Sequence, residues 1–457
     1  MVLGLLNFII ACKSPCQGNG CSDATTSSIL TFLQLDSVIP ERDIEDAALI
    51  FNGSLDQGVL FSVQIDQNHQ YWIGNGATQT LYLESFQIGK RDIQSSELTS
   101  DIPSFGHEIL LLEDSIQPYF VITAPQSDLT TDILDSGSLW IYDATTLTQF
   151  SSIESSQLWM NFPDKIWPCG DLDQDGLLDF AVSLRHSGGD LYRGEVLLGL
   201  SSIWNQQSSH NLDDFPRLQG NAVGEGFGHS VLCDTDINQD GSIDLLISSP
   251  FADVINPIDA SLIDGAGRIA FYSYHWEHFS AQLPDAIFDT QIFDTQIFAT
   301  QIFEGRNLQQ WLGYRMTLGD LNQDGIWELL HTNFASDNTY VNIHSLRDID
   351  NQDWTEIGRI EAPEKDSFFG YQVKIGHLNE DNFADIIVTA PFASNDSLNE
   401  MGMIYLYPGD GETFEFTNPS SLIQGSKSDS RLGQQLWLKD VNDDGLDDII
   451  STIQHPL

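Results

Sequence analysis

The nine residues beginning at Asp171 read DLDQDGLLD, which spaces the carboxylates of Asp171, Asp173, Asp175 and Asp179 around Gly176. The theme returns as DINQDGSID from Asp236, DLNQDGIWE from Asp320, HLNEDNFAD from His377 and DVNDDGLDD from Asp440. Side-chain oxygens at positions 1, 3, 5 and 9, a glycine at 6 for a tight turn and a backbone carbonyl at 7 suit a hard cation. Such an ion takes about six to eight oxygens at roughly 2.3–2.6 Å. Magnesium keeps several waters in a stricter octahedron, so a loop offering this many protein oxygens points to calcium. A lone copy would read as a surface turn, but here the pattern recurs. An EF-hand is excluded because its twelfth position would fall on Val182, Ile247, His331 and Ser451, none of them a bidentate glutamate, and because the flanks read as strands. A dockerin fails on the same flanks.

Each loop must be held by a strand on either side. Around Asp236, Phe227-Gly228 opens a strand-like stretch, the loop follows, residues 245–250 form a second apolar run ending in Pro250, and residues 267–274 form a third. The order repeats at Phe369-Gly370 with 386–391 and 402–407, and in part at Leu312-Gly313 with 329–331. Two further copies lack the ligands: Phe105-Gly106 with 119–125 and 137–142, where Glu113 and Asp114 stand in for the loop, and a weaker one around Asp66 and Asn68. Helical periodicity is scarce. The seven loop starts lie 48 to 84 residues apart, most of them near the period of propeller blades built from β-meanders. The expected fold is therefore all-β, a seven-bladed β-propeller over residues 29–457, with 29–51 completing the last unit and leaving no open sheet edge.

The arrangement resembles the FG-GAP repeats of the integrin alpha-subunit propeller, with FG at the start of a unit, a DxDxDGxxD loop between the first two strands and a proline after the second. The resemblance covers about residues 50–457 and is strongest in the units of Asp171, Asp236, Asp320 and Asp440. It implies calcium-binding FG-GAP-type blades with the ions on one face and extracellular binding on the other. The implied metal ligands are Asp171, Asp173, Asp175 and Asp179; Asp236, Asn238, Asp240 and Asp244; Asp320, Asn322, Asp324 and Glu328; and Asp440, Asn442, Asp444 and Asp448, with carbonyls from Leu177, Ser242, Ile326 and Leu446. Four Ca2+ sites follow, and they are structural, each tying together the first two strands of its unit. The loop of Asn379, Asp381 and Asp385 is expected weak or empty, since His377 offers nitrogen at position 1 and Asn382 replaces the glycine.

The balance of 67 Asp and Glu against 18 Lys and Arg gives a net charge of −49, which repels phosphate backbones and anionic lipid alike, so nucleic acid is not an expected partner. Residues 1–11 form an apolar run too short to span a bilayer and read as a signal peptide. Ile9-Ile10-Ala11-Cys12 resembles a bacterial lipobox with Cys12 as the lipidated residue, followed by a small, polar tether over 12–28. Export to the bacterial cell envelope with a lipid anchor is the expected location, the anchor being the only contact with membrane. Cys16 and Cys21 are close enough to pair in such a compartment, whereas Cys169 and Cys233, each just before a loop, are expected as two buried thiols. The tandem IFDTQ repeat in 287–305 flips its apolar face from copy to copy and is expected in an outer strand or loop.

Catalytic signatures are missing: no GxSxG, HExxH, P-loop or GxGxxG occurs, and His107 and His229 follow FG as packing residues would. The reading is a non-enzymatic surface adhesion or binding propeller for a protein or glycan. A calcium-dependent polysaccharide lyase or hydrolase, or a purely structural module, are the alternatives. The ligand face is expected on the loops at 126–136, 251–266 and 392–401, where Asp128, Asp132, Asp253, Asp259, Asp264 and Asp396 would suit a cationic partner or a glycan bridged by calcium.

Overall fold

The structure is a computed structural model. It describes most of residues 102–155, 162–184, 193–273 and 301–451 with their side chains, and elsewhere only the backbone of strands. The chain forms two compact units, one from Met1–Val59, Arg315–Asp348 and Asp353–Leu457, the other from Leu60–Tyr314 and Ile349–Gln352. Both are built of four- and five-stranded, largely antiparallel sheets. Among the described residues the only α-helix is Ser201–Trp204, and none is long and apolar enough to cross a membrane.

The sheet around Asp236 shows how sequence becomes repeat. Val231–Thr235, Asp244–Ser249, Arg268–Tyr272 and Gln301–Glu304 pair in that order, with Val231 opposite Ile247, Leu245 opposite Tyr272 and Arg268 opposite Glu304. The second strand, DLLISS, is buried at all six positions, as a strand covered on both faces must be. Asp385–Ala390 and Phe180–Leu184 repeat that pattern. Fully burying one such Leu, Ile or Val side chain stabilises by roughly 1.5–3 kcal/mol, so the central strands anchor each sheet. The final IFDTQ-like copy supplies the outer strand Gln301–Glu304, as expected, while 287–300 lie outside the described residues.

The Phe-Gly signature has a packing cause. Gly228 and Gly313 take φ of 83° and 82°. A Cβ on Gly228 would lie 2.8 Å from a methyl of Val196, and one on Gly313 2.8 Å from Ile269, so at these two starts only glycine lets the chain approach the third strand of the preceding sheet. The preceding Phe227 and Leu312 are buried. The unit of Asp171 has no Phe-Gly, yet Phe162 bridges Gly137 as Leu312 bridges Gly267 and Leu432 bridges Gly402, so the position is kept where the motif is lost.

In the last unit, Leu436–Lys439 pairs with Asp448–His455, which pairs in turn with Ser27–Leu33, and that strand with Ala48–Gly53. Phe8–Ile10, inside the stretch read as a signal peptide, runs parallel to Ala48–Gly53 in the same sheet. Cys12, Cys16 and Cys21 lie outside the described residues.

One expectation is overturned. Cys169 and Cys233 form a disulfide rather than two thiols. Cys169 directly follows the first strand of one sheet, Lys165–Pro168, and Cys233 lies within the first strand of the next, Val231–Thr235; the chains meet side by side in a parallel bridge at the two cysteines, with Cα atoms 4.7 Å apart. A separation of 64 residues conceals that pairing, because one repeat length returns the chain to the same place in the neighbouring sheet.

Candidate metal centres

The loops share a frame made of backbone N–H groups turned inward. The position-1 carboxylate takes two of them: Asp171 accepts from Asp175 and Gly176 at 2.9 and 2.8 Å, Asp236 from Asp240 and Gly241 at 3.1 and 2.9 Å, and Asp320 from Asp324 and Gly325 at 3.1 and 2.9 Å. The position-5 carboxylate accepts from position 7, with Asp175, Asp240 and Asp324 taking the N–H of Leu177, Ser242 and Ile326. The position-9 acid reaches back to position 2: Asp179, Asp244 and Glu328 accept from Leu172, Ile237 and Leu321 at 2.7, 2.8 and 3.0 Å. Gln174, Gln239 and Gln323 at position 4 take left-handed φ of 58°, 61° and 57°. Gly176, Gly241 and Gly325 do so too, and a Cβ there would meet nothing within 4 Å. The glycine is therefore demanded by backbone conformation, not by crowding. In the fourth loop Asp440 accepts from Gly445 at 2.8 Å and Asp448 starts its strand buried, while Asn442 and Asp444 lie outside the described residues.

Three carboxylates of the first loop converge. Ligand oxygens of Asp171, Asp173 and Asp179 lie within 4.8 Å of one another, a cluster able to hold a metal ion. Asp179 is wholly buried, and burial first, then the charge of Asp173, pushes its carboxyl well above the usual range against the hydrogen bonds it accepts. Burial likewise raises Asp173, with Asp175 and Asp171 adding to it and the Ser202 hydroxyl opposing. Burial pushes Asp244 up to about 6 and Glu328 up to about 7. Asp173 Oδ1 and Asp244 Oδ1 are buried without a hydrogen-bond donor. An orphaned buried acceptor costs about 1–3 kcal/mol, more when charged, and a hard cation coordinated there removes the cost. The donor set, all oxygen with several carboxylates, fits calcium.

Several residues at these loops lie outside the nine-residue pattern. The short helix Ser201–Trp204 after the third strand sets Ser201 and Ser202 over the first loop: the Ser201 N–H donates to Asp179 at 2.6 Å, its hydroxyl to Asp175 at 2.8 Å, and the Ser202 hydroxyl to Asp173. Ser273 sits likewise at the second loop, donating to Asp240 at 3.2 Å, and Arg347 pairs with Asp324 at 2.8 Å in the third. The signal for them is weak, a polar residue shortly after a third strand for the serines and near the end of the third strand Asn338–Asp348 for Arg347, and it becomes readable only once the strand register is known.

The fifth loop keeps part of the frame and loses the rest. Asp385 accepts from Leu378 at 2.9 Å and Asp381 from Phe383 at 2.9 Å. The Asn379 amide, however, donates to both oxygens of Asp385 at 3.2 Å, and the Gly409 N–H adds a third donor at 3.0 Å. Here protein donors occupy the carboxylate that a cation would need.

This repeated geometry matches a distant similarity. The chain resembles integrin alpha subunits over part of its length. It is 32% identical to mouse integrin alpha-8 over 148 residues, 30% of this chain and 13% of that protein, and 37% identical to human integrin alpha-IIb over 100 residues, 21% of this chain and 9% of that one. It is also 28% identical to phosphatidylinositol-glycan-specific phospholipase D of Dictyostelium discoideum over 176 residues, 33% of this chain and 19% of the relative. The matches thus span less than a fifth of each relative's length. No family model matches the chain.

Proposed function

We propose that the chain is a calcium-stabilised, seven-bladed binding propeller, exported and held at the cell surface through Cys12, which recognises a protein partner at the sheet ends away from the calcium loops and performs no catalysis. Seven sheets of four or five strands among those described, and the N-terminal strands beside Asp448–His455, support the ring. Calcium at the Asp171, Asp236, Asp320 and Asp440 loops clips the first two strands of each unit.

One observation carries the binding reading. Because Val231–Thr235 and Asp244–Ser249 are antiparallel, residues 250–267 lie at the end opposite the Asp236 loop. There Val254–Ile255 and Leu262–Ile263 form a hairpin that exposes Ile255, Leu262 and, at 93%, Ile258. Its turn is fixed by the Ala260 N–H donating to Asn256 O at 2.9 Å and the Ile258 N–H to Asn256 Oδ1 at 3.0 Å. Val223 and Leu308 are exposed on the two flanking loops, which join this segment through Phe251 N–H to Glu225 O at 3.1 Å and Gln309 N–H to Asp264 O at 2.9 Å. A cluster of exposed aliphatics on an ordered turn, beside the exposed carboxylates of Asp253, Asp259 and Asp264, suits an apolar protein surface with basic residues at its edge.

The test is retention of the purified chain on immobilised cell-surface extract, with calcium or EDTA, before and after protease or periodate treatment of the extract. Retention that needs calcium, is lost to protease and falls at least tenfold in Ile258→Asp/Leu262→Asp supports the reading. Loss to periodate alone favours a glycan. Because one relative bears the name of a phospholipase D, the chain is also incubated with phosphatidylinositol-glycan and with acidic polysaccharide, and release of product from either overturns the non-catalytic reading.

A further inference from the structure

The disulfide lies at the root of two candidate calcium loops. Cys169 stands two residues before Asp171 and Cys233 three before Asp236. The hydrogen bonds around the pair run into both loops. Cys169 N–H donates to Asp179 O at 2.9 Å and Asp179 N–H to Gly170 O at 3.1 Å, so the buried position-9 acid of the first loop is placed by the residues at the bond. Gly170 N–H donates to Cys233 O at 3.0 Å, across to the second sheet. From the second loop, Ile243 at position 8 packs on Gly170, where a Cβ would lie 2.1 Å from its Cδ1. Asp244, which follows it, holds the donor-free Oδ1. Both sulfurs belong to buried residues, Cys169 at 3% and Cys233 at 1% exposure, so a reductant reaches them only when these strand ends part. The equivalent positions of the Asp320 unit, within the strand Met316–Gly319, carry Thr317 and Leu318 and have no such bond.

We propose that the Cys169–Cys233 disulfide and calcium at the Asp171 and Asp236 loops are thermodynamically linked, each stabilising the other, so that this end of the two sheets is a redox-sensitive calcium clip. The proposal rests on the calcium reading of the loops. Reduction follows ordinary exchange: a thiolate of a small dithiol attacks one sulfur, a mixed disulfide forms, and the second thiol of the reagent displaces the remaining protein sulfur. Two electrons and two protons pass to Cys169 and Cys233, and the dithiol leaves as its own disulfide. With the bond open, the strand ends that fix Asp179 and Asp244 separate more easily, and the loops lose preorganisation. Linkage makes the effect reciprocal: if reduction weakens calcium by a given factor, saturating calcium must oppose reduction by that factor, multiplied over the two sites.

The experiment uses the full chain. Calcium chloride is titrated calorimetrically into the oxidised protein and into protein reduced with dithiothreitol, with circular dichroism checking that both are folded. Separately, the protein is equilibrated with mixtures of reduced and oxidised dithiothreitol, with and without calcium, and differential alkylation is read at Cys169 and Cys233, which distinguishes this bond from Cys12, Cys16 and Cys21. Calcium should bind the two loops about five- to tenfold more weakly after reduction. The ratio of reduced to oxidised dithiothreitol needed to open half the bonds should rise with calcium by the product of the two factors. Equal affinities in the oxidised and reduced proteins, or an opening ratio indifferent to calcium, would overturn the linkage. Absence of calcium binding by the oxidised protein would instead sink the calcium reading itself. The Cys169→Ser/Cys233→Ser variant should behave as the reduced protein, and if it does not fold, the reciprocal measurement on the natural sequence still decides.

Discussion

The Asp171 and His377 loops begin from one pattern and end in opposite electrostatic states. In both, the position-9 aspartate takes the N–H of position 2 and the position-5 aspartate that of position 7. In the first, Asp171, Asp173 and Asp179 gather and Asp173 keeps a buried oxygen without a donor. In the second, the Asn379 amide covers both oxygens of Asp385 and no carboxylate stands at position 1. The frame is thus a backbone property, whereas the place for a cation in the first loop is marked by a single buried carboxylate oxygen, Asp173 Oδ1, that no protein group satisfies. A nitrogen donor in the centre stands in for the ion.

Removing calcium should give the largest effect. At affinities of about 10⁻⁴ to 10⁻³ M, millimolar calcium contributes roughly 0.4–1.4 kcal/mol per site, or several kcal/mol over four sites. EDTA should lower the calorimetric Tm by several °C. An unchanged Tm would mean that the first loop no more needs a cation than the fifth.

Acid should strike next, and unevenly. The strand that leaves the Asp320 loop buries His331 against His344, ring nitrogens 3.1 Å apart. Beyond Asp385 the strand leaving the fifth loop, IIVTA, has no titratable side chain. Burial, then His344, holds His331 well below its ordinary value, and burial, then the charge of Arg359, brings His344 down to about 4. A histidine kept neutral in the fold contributes its full stability above the unfolded value near 6.5 and loses it as pH falls toward 4. For His344 that loss approaches ~3 kcal/mol. His344→Gln should flatten urea stability between pH 6.5 and 4, and an unaltered slope would show that the imidazoles do not titrate with unfolding.

Smaller effects separate the two loops directly. Asp173→Asn removes a buried charge that lacks a full set of partners, so it should stabilise the calcium-free chain by ~1 kcal/mol and weaken the calcium-loaded one by a similar amount. The two melting curves, with and without calcium, should therefore draw together. In the fifth loop, His377→Asp, Asn379→Asp and Asn382→Gly together should add one calcium equivalent by calorimetry and about 1 kcal/mol of calcium-dependent stability. No added equivalent would mean that something other than the asparagine amide closes that loop.

The repeat, its strands and the nine-residue frame were legible because their causes are local. The hydrogen bonds that shape a loop run between residues two to seven apart, and the glycine follows from a left-handed φ that the turn imposes. The Phe-Gly signature was legible as a mark but not as a contact, since Gly228 is set by Val196 of another sheet. Phe162 was missed because its unit keeps the bridge to Gly137 without the motif. Ser201 and Ser202 were missed because they lie 22 to 29 residues from the carboxylates they touch.

The sequence by itself determined where oxygen-bearing side chains recur, that strands flank them, and that the fifth copy departs from the pattern at His377 and Asn382. Tertiary structure alone decided which carboxylates become buried and orphaned, that the Asn379 amide fills the centre of the fifth loop, and that Cys169 and Cys233 are one bond. The burial and the disulfide depend on strand register and on sheets packed side by side, whereas the Asn379 amide acts within its own loop and depends on which way that side chain turns. Burial and pairing are properties of neighbours in space, and for the two cysteines those neighbours stand 64 residues, about one repeat, apart along the chain.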